Sequence, residues 1–207
     1  MPNQIVVAFG GTFDPVHFGH LIAARAVAEH LGAQRVVLVP AGSPPHKAPP
    51  AAAARDRLAM LELAVEGDDL FEVSPLEIDR TGPSYTHDTL VQLRQSLPAE
   101  TELAWMVGLD MLLDLPNWRR AGEVVEMVRI VTALRPPAPN DLDLLLSPLR
   151  GRFTDEQLAR LKSDVLLTPL VDISSTDIRR RVREGKSIRY LTGQSVVAYL
   201  GRHHIYR

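Results

Sequence analysis

Short runs of β-branched apolar residues alternate along this chain with longer stretches of helical period. Ile5 to Phe9 is such a run, closed by Gly10-Gly11, and predicts a buried strand. From His20 to Leu31 the spacing changes. Leu21, Ala24, Val27, Ala28 and Leu31 fall on one helical face, and Gly32 supplies a stop signal. Arg35 to Pro40 predicts a second buried strand. Strand, helix and strand within roughly 35 residues is the spacing of a right-handed βαβ unit.

The alternation continues. Ala51 to Glu66 predicts a helix, Leu70 to Ser74 a strand, and Leu76 to Asp79 another strand. Tyr85 to Leu97 predicts a helix, and Glu102 to Val107 and Val128 to Leu134 predict strands. Asp164 to Thr168 predicts the last strand, before helices over Thr176 to Glu184 and Gln194 to Arg202. Pro40 to Pro50 and Arg135 to Asn140 are too proline-rich for helix or central strand and predict loops. Asp141 to Arg150 carries no clear pattern. The fold class expected is α/β, an open, mostly parallel sheet with helices on both faces. No repeat or linker divides the 207 residues, so a single domain over 1–207 is expected.

Composition narrows the functions. The formal net charge of −2 leaves no global positive field for a nucleic acid backbone, although a few placed cations suffice for a small anion. With no cysteine, disulfides, thiolate metal sites and a thiol nucleophile are excluded. The first residues carry no basic region of a signal peptide, and no apolar run approaches the roughly 20 residues of a membrane helix. A cytoplasmic protein is expected.

The richest candidate chemistry lies between the first strand and the first helix, in the run from Gly10 to His20 (GGTFDPVHFGH). This is the carboxyl end of a strand, where open α/β sheets bind ligands. Gly10 and Gly11 let backbone approach a ligand, Thr12 adds a hydroxyl, and a helix start offers N–H groups to phosphate. His17 and His20, three positions apart, point the same way on a helical turn. They could donate to phosphoryl oxygens or brace the strand–helix junction. As a zinc pair they are two ligands without a third.

A second stretch, Ile173 to Arg179 (ISSTDIR), opens another helix. Ser174 and Ser175 suit a helix cap that leaves N–H groups for an anion, and Arg179 lies about one turn in, where its fork could take a phosphate. Arg180, Arg181 and Arg183 cannot all face one ligand and predict a solvated helix face.

Together the two stretches resemble the HxGH and ISSTxIR signatures of the nucleotidylyltransferase superfamily, a Rossmann-like α/β fold. The resemblance implies that His17 and His20 contact ATP phosphates and stabilise the transition state. It implies that Gly19 permits close approach of the adenine nucleotide, with Phe13 part of the ATP loop, and that Ser174, Ser175 and Arg179 bind phosphates opposite. The segments between the signatures resemble bacterial nicotinate mononucleotide adenylyltransferase across essentially the whole chain. SPPHK at Ser43 to Lys47 is similar to that family's substrate loop, which implies that Lys47 approaches the phosphates. GPSYTHDTL at Gly82 to Leu90 is similar to its GPSYTxDTL segment and implies Thr86 near the pyridine ring. Gly108-Leu109-Asp110 matches its GxD motif against the ATP ribose, and Trp118 its ring-stacking tryptophan. Arg119 departs from a position where an aromatic residue occurs, and the expectation is that Arg119 or Arg120 favours a ring carboxylate over an amide. Trp105 is expected in the core, and His203 and His204 are expected to be structural.

The activity implied is transfer of AMP from ATP to nicotinate mononucleotide, with Mg²⁺ travelling with ATP and no protein metal cage. The partners implied are those two nucleotides, without nucleic acid or membrane, in a chain that admits a homo-oligomer. Alternatives are a nicotinamide mononucleotide or phosphopantetheine adenylyltransferase, or a nucleotide-binding sensor without turnover.

Overall fold

The computed structural model describes residues 4–43, 49–137 and 141–207. Strands β1 (Ile5–Gly11), β2 (Arg35–Pro40), β3 (Phe71–Val73), β4 (Glu102–Gly108), β5 (Arg129–Leu134) and β6 (Val165–Leu167) form one sheet in the order β3-β2-β1-β4-β5-β6. The sheet is parallel, so each connection must cross over, and the helices supply the crossovers. Helix α1 (Phe18–Leu31) joins β1 to β2, α2 (Ala54–Val65) joins β2 to β3, and α3 (Leu76–Asp79) and α4 (Thr86–Ser96) lead to β4. Then come α5 (Leu109–Asp114), α6 (Ala121–Met127), α7 (Leu142–Leu145), α8 (Asp155–Ser163), α9 (Ser175–Arg183) and α10 (Gln194–Arg202). This is the doubly wound Rossmann-like order, whose direction reverses between β1 and β4.

The chain divides into two compact units, one of residues 1–9, 23–36 and 85–170, the other of 10–22, 37–84 and 171–207. In the first, β1 and β4 pair from Ile5 with Glu102 to Phe9 with Met106, and Val6 to Ala8 and Leu103 to Val107 are buried. Trp105, 4% exposed, belongs to this core as expected. Arg129, at the start of β5, donates to both oxygens of Asp164 at 2.6 and 3.0 Å and to Glu102 at 3.1 Å. One guanidinium thus clamps the entry ends of neighbouring strands, and the Asp164 bond raises its pKa further above the ordinary arginine value.

In the second unit α10 packs on α2, where the Tyr199 hydroxyl donates to Asp56 at 2.9 Å. Gly42 follows β2 with no room for a side chain. A Cβ there would sit 2.1 Å from the Glu77 carbonyl oxygen, so glycine permits backbone to meet backbone.

Three expectations need correction. Leu76 to Asp79 is α3, not a strand. Two apolar residues in four positions cannot separate the periods, and the amides of Ile78 and Asp79 turn back to the Pro75 carbonyl. The helix expected from Ala51 begins at Ala54, because the Ala51 and Ala52 amides donate to the Asp14 carboxylate instead. Helices α5, α6 and α8 were not anticipated, although Thr154 and Gln157 form a capping box that signals α8. The unpatterned stretch 141–150 holds α7, capped by the Asp141 carboxylate, and a 3-10 turn at Ser147–Leu149. Among the described residues no helix is long and apolar enough to cross a membrane.

Candidate active site

The loop from Gly10 to His20 lies in the second unit. Gly10 and Gly11 end β1, one turn of loop follows, and α1 begins at Phe18, two residues earlier than its periodicity suggests. His17 therefore precedes the helix and His20 stands in its first turn. Their rings stack with centroids 3.7 Å apart and planes 22° from parallel. Gly19 makes this possible, since a Cβ there would lie 3.0 Å from His17 Nδ1. The glycine expected to admit a nucleotide thus first makes room for the neighbouring imidazole.

His20 is further fixed by two contacts. The His17 backbone N–H donates to His20 Nδ1 at 3.3 Å, so a neutral His20 carries its proton on Nε2. The Phe13 ring meets it edge-on at 5.1 Å. Phe13 is 1% exposed and holds a left-handed φ of 47°, which turns its ring beneath Gly11 and His20. A left-handed non-glycine residue costs roughly 1–2 kcal/mol, here held by burial of an aromatic ring.

Four anchors hold the loop by its own carbonyl oxygens, each a side-chain donor from elsewhere in the unit. Arg57 Nη1 donates to Thr12 at 2.7 Å, Arg179 Nη1 to Asp14 at 2.7 Å, Ser175 Oγ to Pro15 at 2.8 Å, and Thr192 Oγ1 to Val16 at 2.8 Å. The Phe18 amide donates to the Leu191 carbonyl at 3.1 Å. Buried carbonyls need partners, and here tertiary donors provide them where no sheet or helix can.

Ser175 and Arg179, expected to hold phosphate, therefore also brace the histidine loop. Arg179 keeps a second contact through Nη2 to Thr176 Oγ1 at 3.1 Å. Ser174 caps α9, accepting from the Asp177 amide at 3.1 Å. Arg180 pairs with Asp177 on the exposed side of α9, as expected of a solvated face. Lys47 lies outside the described residues.

The remaining candidates belong to the first unit. Gly108 ends β4 and Asp110 stands in the first turn of α5; a Cβ on Gly108 would lie 2.7 Å from Asp110 Oδ1, so the glycine leaves that carboxylate its position. Thr86 opens α4, which packs against α6. The half-buried Trp118 ends a 3-10 turn. Arg119 Nη1 pairs with Asp88 Oδ2 at 2.9 Å, and its guanidinium lies 4.8 Å from the Tyr85 ring centre. Arg120 pairs with Glu123 at 2.6 Å, a bond that holds the Glu123 carboxyl below its ordinary pKa. Buried His87 lies between, with Nδ1 3.1 Å from Asp88 and Nε2 3.5 Å from Glu123.

Sequence reasoning did not assign Asp14, Arg57, Thr192 or Tyr206. For Arg57 a signal existed: it shares a helical face with Met60 and Leu61, both fully buried, so a cation occupies a core position.

The sheet order is Rossmann-like, and the paired imidazoles stand at the start of its first helix. The chain belongs to the cytidylyltransferase-like family, whose model matches residues 8–181. Its relatives are more particular. It is 44% identical over 214 residues to a protein of Roseiflexus sp. (strain RS-1), covering 100% of both chains. It is 42% identical over 200 residues to one of Thermomicrobium roseum, covering 96% of this chain and 90% of the relative. Each is named a probable nicotinate-nucleotide adenylyltransferase, and the chain belongs to that family of nucleotidyltransferases. In fold it is similar to Plasmodium falciparum nicotinic acid mononucleotide adenylyltransferase complexed with NaAD, with TM-score 0.74 at 14% identity, covering 98% and 97% of the two chains.

Proposed function

We propose that this protein transfers AMP from ATP to nicotinate mononucleotide, giving nicotinate adenine dinucleotide and pyrophosphate in NAD biosynthesis. The observation that carries the reading is the direct bonding of the two distant signatures: Ser175 and Arg179 of the second donate to Pro15 and Asp14 of the first. The names of the full-length relatives support the substrate.

The attacking atom is a phosphate oxygen of the mononucleotide, already anionic at neutral pH, so no general base is needed. Its bond to the α-phosphorus forms as the bond from that phosphorus to the bridging oxygen of pyrophosphate breaks. The protein's work is alignment and neutralisation of charge. His20 donates from Nε2, and His17 beside it, to the α-phosphoryl oxygens. Gly10, Gly11, Thr12, Phe13 and Gly19 shape the loop, and Lys47, Ser174, Ser175 and Arg179 hold the remaining phosphates. Gly108 and Asp110 take the ribose, and Thr86 and Trp118 the pyridine ring. Mg²⁺ would travel with ATP and would supply further neutralisation of the phosphate charge.

Arg119 favours the acid substrate, with Asp88 and Tyr85 fixing its guanidinium beside the start of α4. Arg119→Ala is expected to lower the acid-to-amide ratio of kcat/KM by about tenfold, the worth of one charge-assisted hydrogen bond. An unchanged ratio rejects that role, and Arg120→Ala tests the neighbour.

Pyrophosphate release, measured with ATP and each of nicotinate mononucleotide, nicotinamide mononucleotide and phosphopantetheine, tests the function. Fastest turnover is expected with the first. Preference for either of the others replaces the substrate, and tight ATP binding with no release leaves a sensor.

A further inference from the structure

The carboxylate of Asp14 sits inside the histidine loop, 5% exposed, and takes no part in the chemistry proposed above. Its Oδ2 accepts from the Ala51 amide at 2.7 Å and lies 3.8 Å from Arg179 Nη1. Its Oδ1 accepts from the Ala52 amide at 3.0 Å and from the Tyr206 hydroxyl at 2.6 Å. A buried carboxylate is tolerated only when its lone pairs are filled and a cation stands near. Two amides, one phenol and Arg179 meet that need, and Arg57 adds its field.

Tyr206 is the neutral member of this set and comes from furthest along the chain, 192 positions from Asp14. Its backbone adopts a left-handed φ of 67°, unfavourable for a tyrosine, and that conformation brings the hydroxyl to the carboxylate. Burial, reinforced by the Asp14 bond, raises the phenol well above its ordinary pKa, so it remains a donor throughout the neutral range.

The route from this bond to the imidazoles is short. Asp14 is followed by Pro15 and Val16, whose carbonyls are pinned by Ser175 and Thr192, and then by His17. The His17 amide in turn fixes His20 Nδ1. A shift of Asp14 moves that amide, and with it the direction in which His20 Nε2 donates.

We infer that Tyr206 is a positioning residue for adenylyl transfer, holding His17 and His20 in register through its hydrogen bond to Asp14. The inference rests on the transferase reading for its kinetic consequence, but not for its structural one.

The test is Tyr206→Phe, which removes only the hydroxyl, with Tyr199→Phe as control. Tyr199 makes the same kind of bond to a different aspartate, Asp56, between α10 and α2. Turnover is followed by pyrophosphate release, and the imidazole signals of His17 and His20 by NMR on the substrate-free protein. Tyr206→Phe is expected to lower kcat about tenfold with KM values within about twofold, as misalignment of bound reactants does. It should also displace both imidazole signals, while Tyr199→Phe leaves rate and signals unchanged. Wild-type signals in Tyr206→Phe, or equal effects of the two substitutions, would overturn the inference. If the wild-type protein releases no pyrophosphate, the transferase reading fails and the NMR comparison still decides whether Tyr206 positions the histidines.

Discussion

Alanine at His20 is expected to lower kcat by roughly 10²–10³-fold, the usual cost of removing one preorganised donor to a developing charge. The side chain is half-exposed and tied down by the His17 amide and the Phe13 ring, so its loss removes a donor without opening the core. The thermal midpoint should change by no more than a few degrees. His17→Ala should be at least as slow. His17 is 3% exposed and stacks on His20, so its removal takes away both a donor and the support of the second ring. Initial rates of pyrophosphate release, with thermal unfolding of each variant, check this. Turnover within about threefold of wild type in both variants would remove the histidines from the mechanism, since no preorganised donor is worth so little.

Arg57→Met should produce the largest loss of stability. Arg57 is 1% exposed, with Nη1 on the Thr12 carbonyl at 2.7 Å and Nη2 on the Ala41 carbonyl at 2.6 Å. Burial pulls its pKa below the ordinary arginine value, opposed first by Asp14 and then by Tyr206 and Glu77. It remains a cation, as arginine does in proteins. Methionine fills most of the volume but leaves two carbonyls without their donor and the buried Asp14 without that charge. Removing one partner of a buried charged set costs about 3–5 kcal/mol. For a chain of this size that corresponds to a fall of roughly 10 °C in thermal midpoint. Lysine should not rescue it, because one ammonium cannot fork to Thr12 and Ala41 together. A midpoint within about 2 °C of wild type would show that the cation is not what holds the loop.

The fold was legible wherever burial and period agree. β1, β2, β4 and β5 are fully buried in their middles and read as continuous apolar runs, and α10 matches its expected ends residue for residue. Legibility failed in short elements. α3 and α7 are four residues each, barely one turn, and no period can be counted over that length. The beginning of α2 was missed for another reason. The Ala51 and Ala52 amides are captured by Asp14, 37 and 38 positions earlier, and helix propensity does not register such a partner.

Much the same division runs through the site. The imidazoles, the glycine between them and the serines and arginine of the second stretch are side-chain types in fixed local spacing, and the amino-acid sequence alone sets them. It does not say that Ser175 and Arg179 would spend hydrogen bonds on the loop carbonyls of Pro15 and Asp14. Nor does it say that His20 would present Nε2 as its donor. Every residue carries the same carbonyl, so sequence gives no sign of which one a distant arginine, serine or threonine will reach. Only folding, by bringing residues 12–16 against positions 57, 175, 179, 192 and 206, decides which acceptors are filled and where the two imidazoles point.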